Sequence, residues 1–129
     1  MFTILAFALI GLVVFAVLAL VGLFVVDEMR NKFTTVFADG MVVKVIYNSI
    51  VCQQLHRLTY VWAFTLGTRI YVRTPYLVPS AMRHELQHVR QWERLGTIGF
   101  IYRYVRELLT YGFSNAPLER EARNAAAFI

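Results

Sequence analysis

Twenty-five consecutive residues, Phe2 to Val26, carry no charge, and only Thr3, Gly11 and Gly22 interrupt their apolar character. As a helix rising about 1.5 Å per residue, such a run outreaches the roughly 30 Å hydrocarbon core of a bilayer. A cleaved leader has a shorter apolar region, of about 7 to 15 residues behind a positive start. Neither that pattern nor a buried soluble helix fits the length and flanks here. The sequence therefore predicts a transmembrane anchor over residues 1–27 and a single domain over 28–129, near the lower size limit for an independent core. At 58% hydrophobic residues and a mean hydropathy of +0.54, the composition is also more apolar than that of an ordinary soluble domain.

The segment before the apolar run holds no Lys or Arg, whereas Arg30, Lys32 and Lys44 follow it. The positive-inside tendency thus predicts a single-pass membrane protein with a cytoplasmic C-terminal domain. Asp27 and Glu28 hardly alter that contrast, because acidic residues contribute little to the rule. The net charge of +5 falls entirely after the anchor, which suits a solvated surface or attraction to anionic membrane lipid. Eleven of the 13 basic residues are Arg, scattered along the chain and without a zinc-finger or RNA-binding signature, so nucleic acid is not an expected partner. Cys52 is alone, which excludes an internal disulfide and a CxxC metal site.

After the polar juncture Asp27 to Lys32 and the turn signal Asp39-Gly40, apolar Val42, Val45, Ile46 and Ile50 recur at helical spacing. An amphipathic helix is expected over Met41 to Leu58. Thr59 to Val72 is rich in β-branched and aromatic residues around Gly67-Thr68, which predicts a hairpin of Tyr60–Leu66 and Arg69–Arg73. Pro79 suits the first turn of a helix running to Leu95 and stopping at Gly96. Further helices are expected over Thr97 to Tyr111, ended by Gly112, and over Leu118 to Phe128. The predicted fold class is α+β: a transmembrane helix and a small, mainly helical domain with a β-hairpin.

The chemistry concentrates in His84-Glu85-Leu86-Gln87-His88. Two imidazoles four residues apart on a helix share one face and form a two-pronged metal clamp. Glu85 projects beside them, placed to act on a metal-bound water as general base without itself being a ligand. A catalytic zinc ordinarily takes three protein ligands and keeps a fourth position open. The extended His-based pattern would need a His at 94 and a Gly at 91, where this chain has Arg94 and Gln91. Glu93 lies about 140° around the helix from His88. Glu107 suits a partnership with Arg103 or Arg106. Glu119 and Glu121 remain, and about 200° of rotation separates them, so one faces the metal. Glu119 is preferred because it shares its face with the small Ala122 and Ala126, and Glu121 is the alternative. Tyr76, Tyr102, Tyr104, Tyr111 and His56 stay open as oxyanion partners.

The order of hairpin, His84-Glu85-Leu86-Gln87-His88 and Asn115-Ala116-Pro117-Leu118-Glu119-Arg120-Glu121-Ala122 resembles small gluzincin-type zinc metallopeptidase domains, including membrane-associated ones. The resemblance covers roughly Thr59 to Ala126. It implies Zn2+ held by His84, His88 and Glu119, with Glu85 as catalytic base, and the Glu-x-x-Ala spacing favours Glu119. Arg90 and Arg123 depart from the group's pattern, standing where an apolar and an acidic residue are usual. The expected function is that of a membrane-anchored zinc metallopeptidase acting on a peptide or membrane-protein substrate. Tyr71 and Val72 are expected to offer the strand edge along which an extended peptide pairs. The competing expectations are a catalytically inactive peptidase-like subunit of a membrane complex and a metal-free membrane interaction protein.

Overall fold

The computed structural model describes residues 1–30, 33–38 and 40–127. Among these the chain runs through α1 (Phe2–Arg30), β1 (Phe33–Ala38), β2 (Met41–Ile46), α2 (Ile50–Thr59), β3 (Ala63–Leu66), β4 (Arg69–Val72), α3 (Pro79–Tyr111) and α4 (Pro117–Ala127). The expected turn residue Asp39, the juncture residue Lys32 and the expected helix end Phe128 lie outside the described residues.

The hairpin forms where the sequence predicts it, because Gly67, at φ +60°, lets the chain reverse between β3 and β4. It is half of a larger sheet, of order β1-β2-β4-β3 among the described residues, in which β2 and β4 run parallel. Side chains alternate across this sheet as the pleat requires. Val43, Val45, Ile70 and Val72 point to one face and pack with Val89 of α3. Ile46 and Tyr71 point to the other, against Cys52 of α2 and the rings of Phe24 and Phe64.

The long amphipathic helix expected over Met41 to Leu58 does not form. Its first part is β2, and α2 begins only at Ile50. Apolar positions three and four apart satisfied a helical period, but Val42, Val43, Val45 and Ile46 are β-branched, all four pair with β1, and Val45 and Ile46 pair with β4 as well. Asn48, with φ at 54°, breaks the path between the two elements. Ser49 then caps α2, its side chain accepting from the Cys52 N–H at 3.0 Å.

A residue distant in sequence fixes that start. Asp27, near the end of α1, is fully buried and accepts from Ser49 Oγ at 2.6 Å, Ile50 N at 2.7 Å and Val51 N at 3.2 Å. A carboxylate at a helix N-terminus meets otherwise unpaired N–H groups and the positive end of the dipole. Glu28 pairs with Arg69 of β4, and the Phe24 ring packs edge-on against Tyr71 at 5.1 Å. The last two turns of α1 are thus part of the domain, while its preceding residues are exposed along a helix long and apolar enough to cross a membrane.

Gly96 interrupts α3 with φ 73° and ψ 168°, a conformation essentially reserved for glycine. The break falls at the predicted helix stop, and it turns the second half of α3 back onto the first. Trp92 and Phe100 stack at 4.3 Å across the bend, and Phe100 stacks on Tyr104 at 5.4 Å.

Candidate metal centre

His84, His88 and Gln91 recur at i, i+4 and i+7 on the first half of α3, one face of a helix that Pro79 opens. On this face His88 and Gln91 are buried, while His84 is partly open. The facing element is the first turn of α4, held in place by two side chains of α3. Glu107 accepts the Leu118 N–H at 2.7 Å, steadied by Arg103 at the same distance, and Gln91 Nε2 donates to the Leu118 carbonyl at 2.9 Å. Fully buried Ala122 presents no bulk that would keep the two helices apart. Glu119 consequently enters between the imidazoles.

The Nε2 atoms of His84 and His88 stand 3.2 Å apart. His84 Nε2 lies 3.2 Å from one Glu119 oxygen and His88 Nε2 lies 3.2 Å from the other. Donors about 2.0–2.1 Å from a shared tetrahedral ion stand roughly 3.3 Å from one another; the two nitrogens are close to that spacing, and one ligand atom from each of the three residues lies within 4.8 Å of the others. The proton arrangement fits as well. Gln91 spends its amide N–H on the Leu118 carbonyl, which turns its Oε1 toward His88 Nδ1 at 2.8 Å. A neutral His88 therefore carries its proton on Nδ1, leaving the Nε2 lone pair aimed at the cluster.

Burial alone would raise the Glu119 carboxyl, but hydrogen bonds to His84 and His88 outweigh it and hold the group well below the usual glutamate range. Burial would equally depress His88, yet its contact with Glu119 lifts the imidazole above its ordinary value. Tyr104 donates its hydroxyl to Glu119 Oε1 at 2.7 Å, and burial together with that carboxylate pushes the phenol up. Glu85 is shifted upward by burial, against the opposing pull of the Thr65 hydroxyl and the two imidazoles. A cation among the three donors would act in the same opposing sense. Thr65 Oγ1 donates to Glu85 Oε2 at 2.7 Å and so fixes the carboxylate from the neighbouring strand.

Beside these groups opens a cleft of about 320 Å³, walled by β3 on one side and by Ile101, Val105 and Phe113 on the other. β3 is one edge strand of the sheet, paired only with β4 among the described residues. The edge expected at Tyr71 and Val72 is corrected accordingly. β4 is interior and both residues are buried, because β2, unforeseen as a strand, occupies its other side.

The residues expected to cooperate are largely brought together: His84, Glu85, His88 and Glu119 share one cleft. Glu121 is turned away, accepting from Gln87 at 2.6 Å and lying 3.4 Å from Arg94. Glu93 is exposed, Arg90 donates to Gln87, and Arg123 donates to the Ser114 carbonyl. Of the five oxyanion candidates, Tyr104 reaches the cluster; His56 contacts the Val61 carbonyl at 3.2 Å, and Tyr76, Tyr102 and Tyr111 are exposed. Thr65 and Gln91 join the site beyond the residues that the motif spacing singles out. Gln91 left a signal, a polar residue one turn beyond His88 on the face that must be buried. Thr65 left none, since only the sheet brings it to α3.

No protein-family model matches this chain, and no curated protein or solved structure matches it.

Proposed function

We propose that this chain is a membrane-anchored zinc metallopeptidase, with His84, His88 and Glu119 as metal ligands and Glu85 as general base. The convergence of two imidazole nitrogens 3.2 Å apart on the two oxygens of the Glu119 carboxylate, each 3.2 Å from one of them, beside the buried Glu85 carries this reading. Zinc held by these residues would supply a Lewis acid for the scissile carbonyl and acidify the attacking water. Glu85, held by Thr65, accepts the proton of that water and returns it to the leaving amine. The Tyr104 hydroxyl, on the cleft wall, donates to Glu119 Oε1 and so steadies the carboxylate that would serve as third ligand. The unpaired edge of β3 can add an extended peptide as a further strand, and the apolar cleft favours apolar side chains.

In this reading α1 spans the bilayer and the domain lies on the cytoplasmic side, as the basic residues that follow the apolar run favour. The substrate is a peptide or a membrane-protein segment.

Replacing Glu85 by Gln keeps size and hydrogen bonding but removes basicity. Purified Glu85→Gln protein is expected to retain about one zinc per chain and to lose turnover of unfolded juxtamembrane peptides by several orders of magnitude. If wild type and variant both bind zinc, neither cleaves a broad peptide library and both rescue a deletion strain equally, the peptidase reading fails. The accessory-subunit reading then replaces it.

A further inference from the structure

The second half of α3 has two apolar faces, and the fold buries only one. Phe100, Tyr104 and Glu107 turn inward toward Trp92, His88 and α4. Ile98, Ile101, Tyr102, Val105 and Leu109 turn outward, with exposures from 49% to 86%. At 100° per residue these five fall within an arc of about 100°, the width of a stripe that an amphipathic helix ordinarily hides. The stripe contains no charge, and Arg106 flanks it with its guanidinium 5.9 Å from the centre of the Tyr102 ring.

We infer that this stripe lies in the interface of the bilayer that α1 spans, giving the domain a second membrane contact in the plane of the lipid headgroups. The inference rests on α1 being a membrane span. Continuity selects lipid as the occupant. Phe24, in the last part of the apolar run, packs against Phe64 of β3 with ring centroids 6.3 Å apart. β3 forms one wall of the cleft, and Ile101 and Val105, which belong to the stripe, form part of the other. An apolar surface thus runs from the end of the anchor across the cleft to the stripe. Because Asp27 and Glu28 fasten the last turn of α1 to the domain, the domain that carries the stripe is fixed to the anchor instead of ranging on a flexible tether. The chemistry of the stripe matches that location. A tyrosine and an arginine at the margin of an aliphatic band suit the boundary between acyl chains and anionic headgroups.

Depth-dependent quenching in proteoliposomes tests the inference with the full chain. Single cysteines at Ile98→Cys and Leu109→Cys, both at highly exposed positions, would carry an environment-sensitive fluorophore. Leu12→Cys in α1 and Arg120→Cys on α4 serve as references. The native Cys52 is buried, with its thiol pushed up to about 12, so it competes little for the label. In vesicles of phosphatidylcholine and phosphatidylglycerol, nitroxide near the headgroups is expected to quench labels at 98 and 109 several-fold more than the label at 120. Nitroxide deep in the acyl chains is expected to quench the label at 12. Labels at 98 and 109 that behave like the one at 120, while 12 is quenched, overturn the stripe contact and leave the anchor standing. An unquenched label at 12 overturns both. Labels at 98 and 109 shielded from aqueous iodide but untouched by lipid nitroxide, with cross-linking between copies at Leu109→Cys, transfer the stripe to a second copy of this chain and overturn the lipid contact.

Discussion

Gln91 Oε1 lies 2.8 Å from Nδ1 of His88, and the same side chain donates to the Leu118 carbonyl at 2.9 Å. One amide thereby sets the proton position on an imidazole and ties that imidazole to the start of α4. Gln91→Leu preserves much of the volume but removes both contacts. It is expected to weaken zinc binding roughly 10- to 100-fold, measured by competition against a chromogenic chelator. An unchanged affinity would show that His88 is oriented without Gln91.

The two glutamates of α4 separate by their partners. Glu119 meets both imidazoles and Tyr104, whereas Glu121 is held by Gln87 and Arg94. Glu119→Gln is expected to lower metal affinity by well over tenfold and Glu121→Gln by only a few-fold, since the former removes the charge that faces both imidazoles and the latter a neighbouring contact. Isothermal titration of both variants decides the assignment. The reverse order would move the third ligand to Glu121.

Gly96 has open space where a Cβ would stand, so its constraint is the backbone itself. Gly96→Ala must either adopt a strained φ or straighten α3, and the expected cost is about 1–3 kcal/mol. Straightening would also pull Tyr104 from Glu119. Thermal unfolding in detergent should show a lower Tm, and zinc affinity should fall with it. A Tm equal to wild type would mean that the bend does not need glycine.

Asp27 joins α1 to the domain through hydrogen bonds from Ser49 Oγ and from the backbone N–H groups of Ile50 and Val51 in α2. Asp27→Ala leaves those donors buried and unpaired, at an expected cost of about 1–3 kcal/mol. Amide exchange of Ile50 and Val51 should accelerate well before that of the α3 core. Protection that stays unchanged in the variant would contradict the capping role.

The sequence by itself determined the elements whose causes are local. The apolar length of Phe2 to Val26, the reversal at Gly67, the start at Pro79 and the stop at Gly96 each follow from the conformational range of the residues present. The spacing of His84 and His88 likewise dictates a shared face on any helix that contains them. Tertiary structure decided what depends on partners far along the chain. Met41 to Ile46 satisfied a helical period as well as a strand, and pairing with β1 and β4 settled the choice. That pairing buried Tyr71 and Val72 and moved the free edge to β3. That Glu119 and not Glu121 meets the imidazoles required the placement of α4 by Glu107 and Gln91, and Thr65 entered the cluster because its strand lies beside α3. Local conformational preference acts within a few residues, whereas strand pairing and helix docking are fixed by burial and hydrogen bonding between distant segments; a single sequence displays the first directly and the second only after folding.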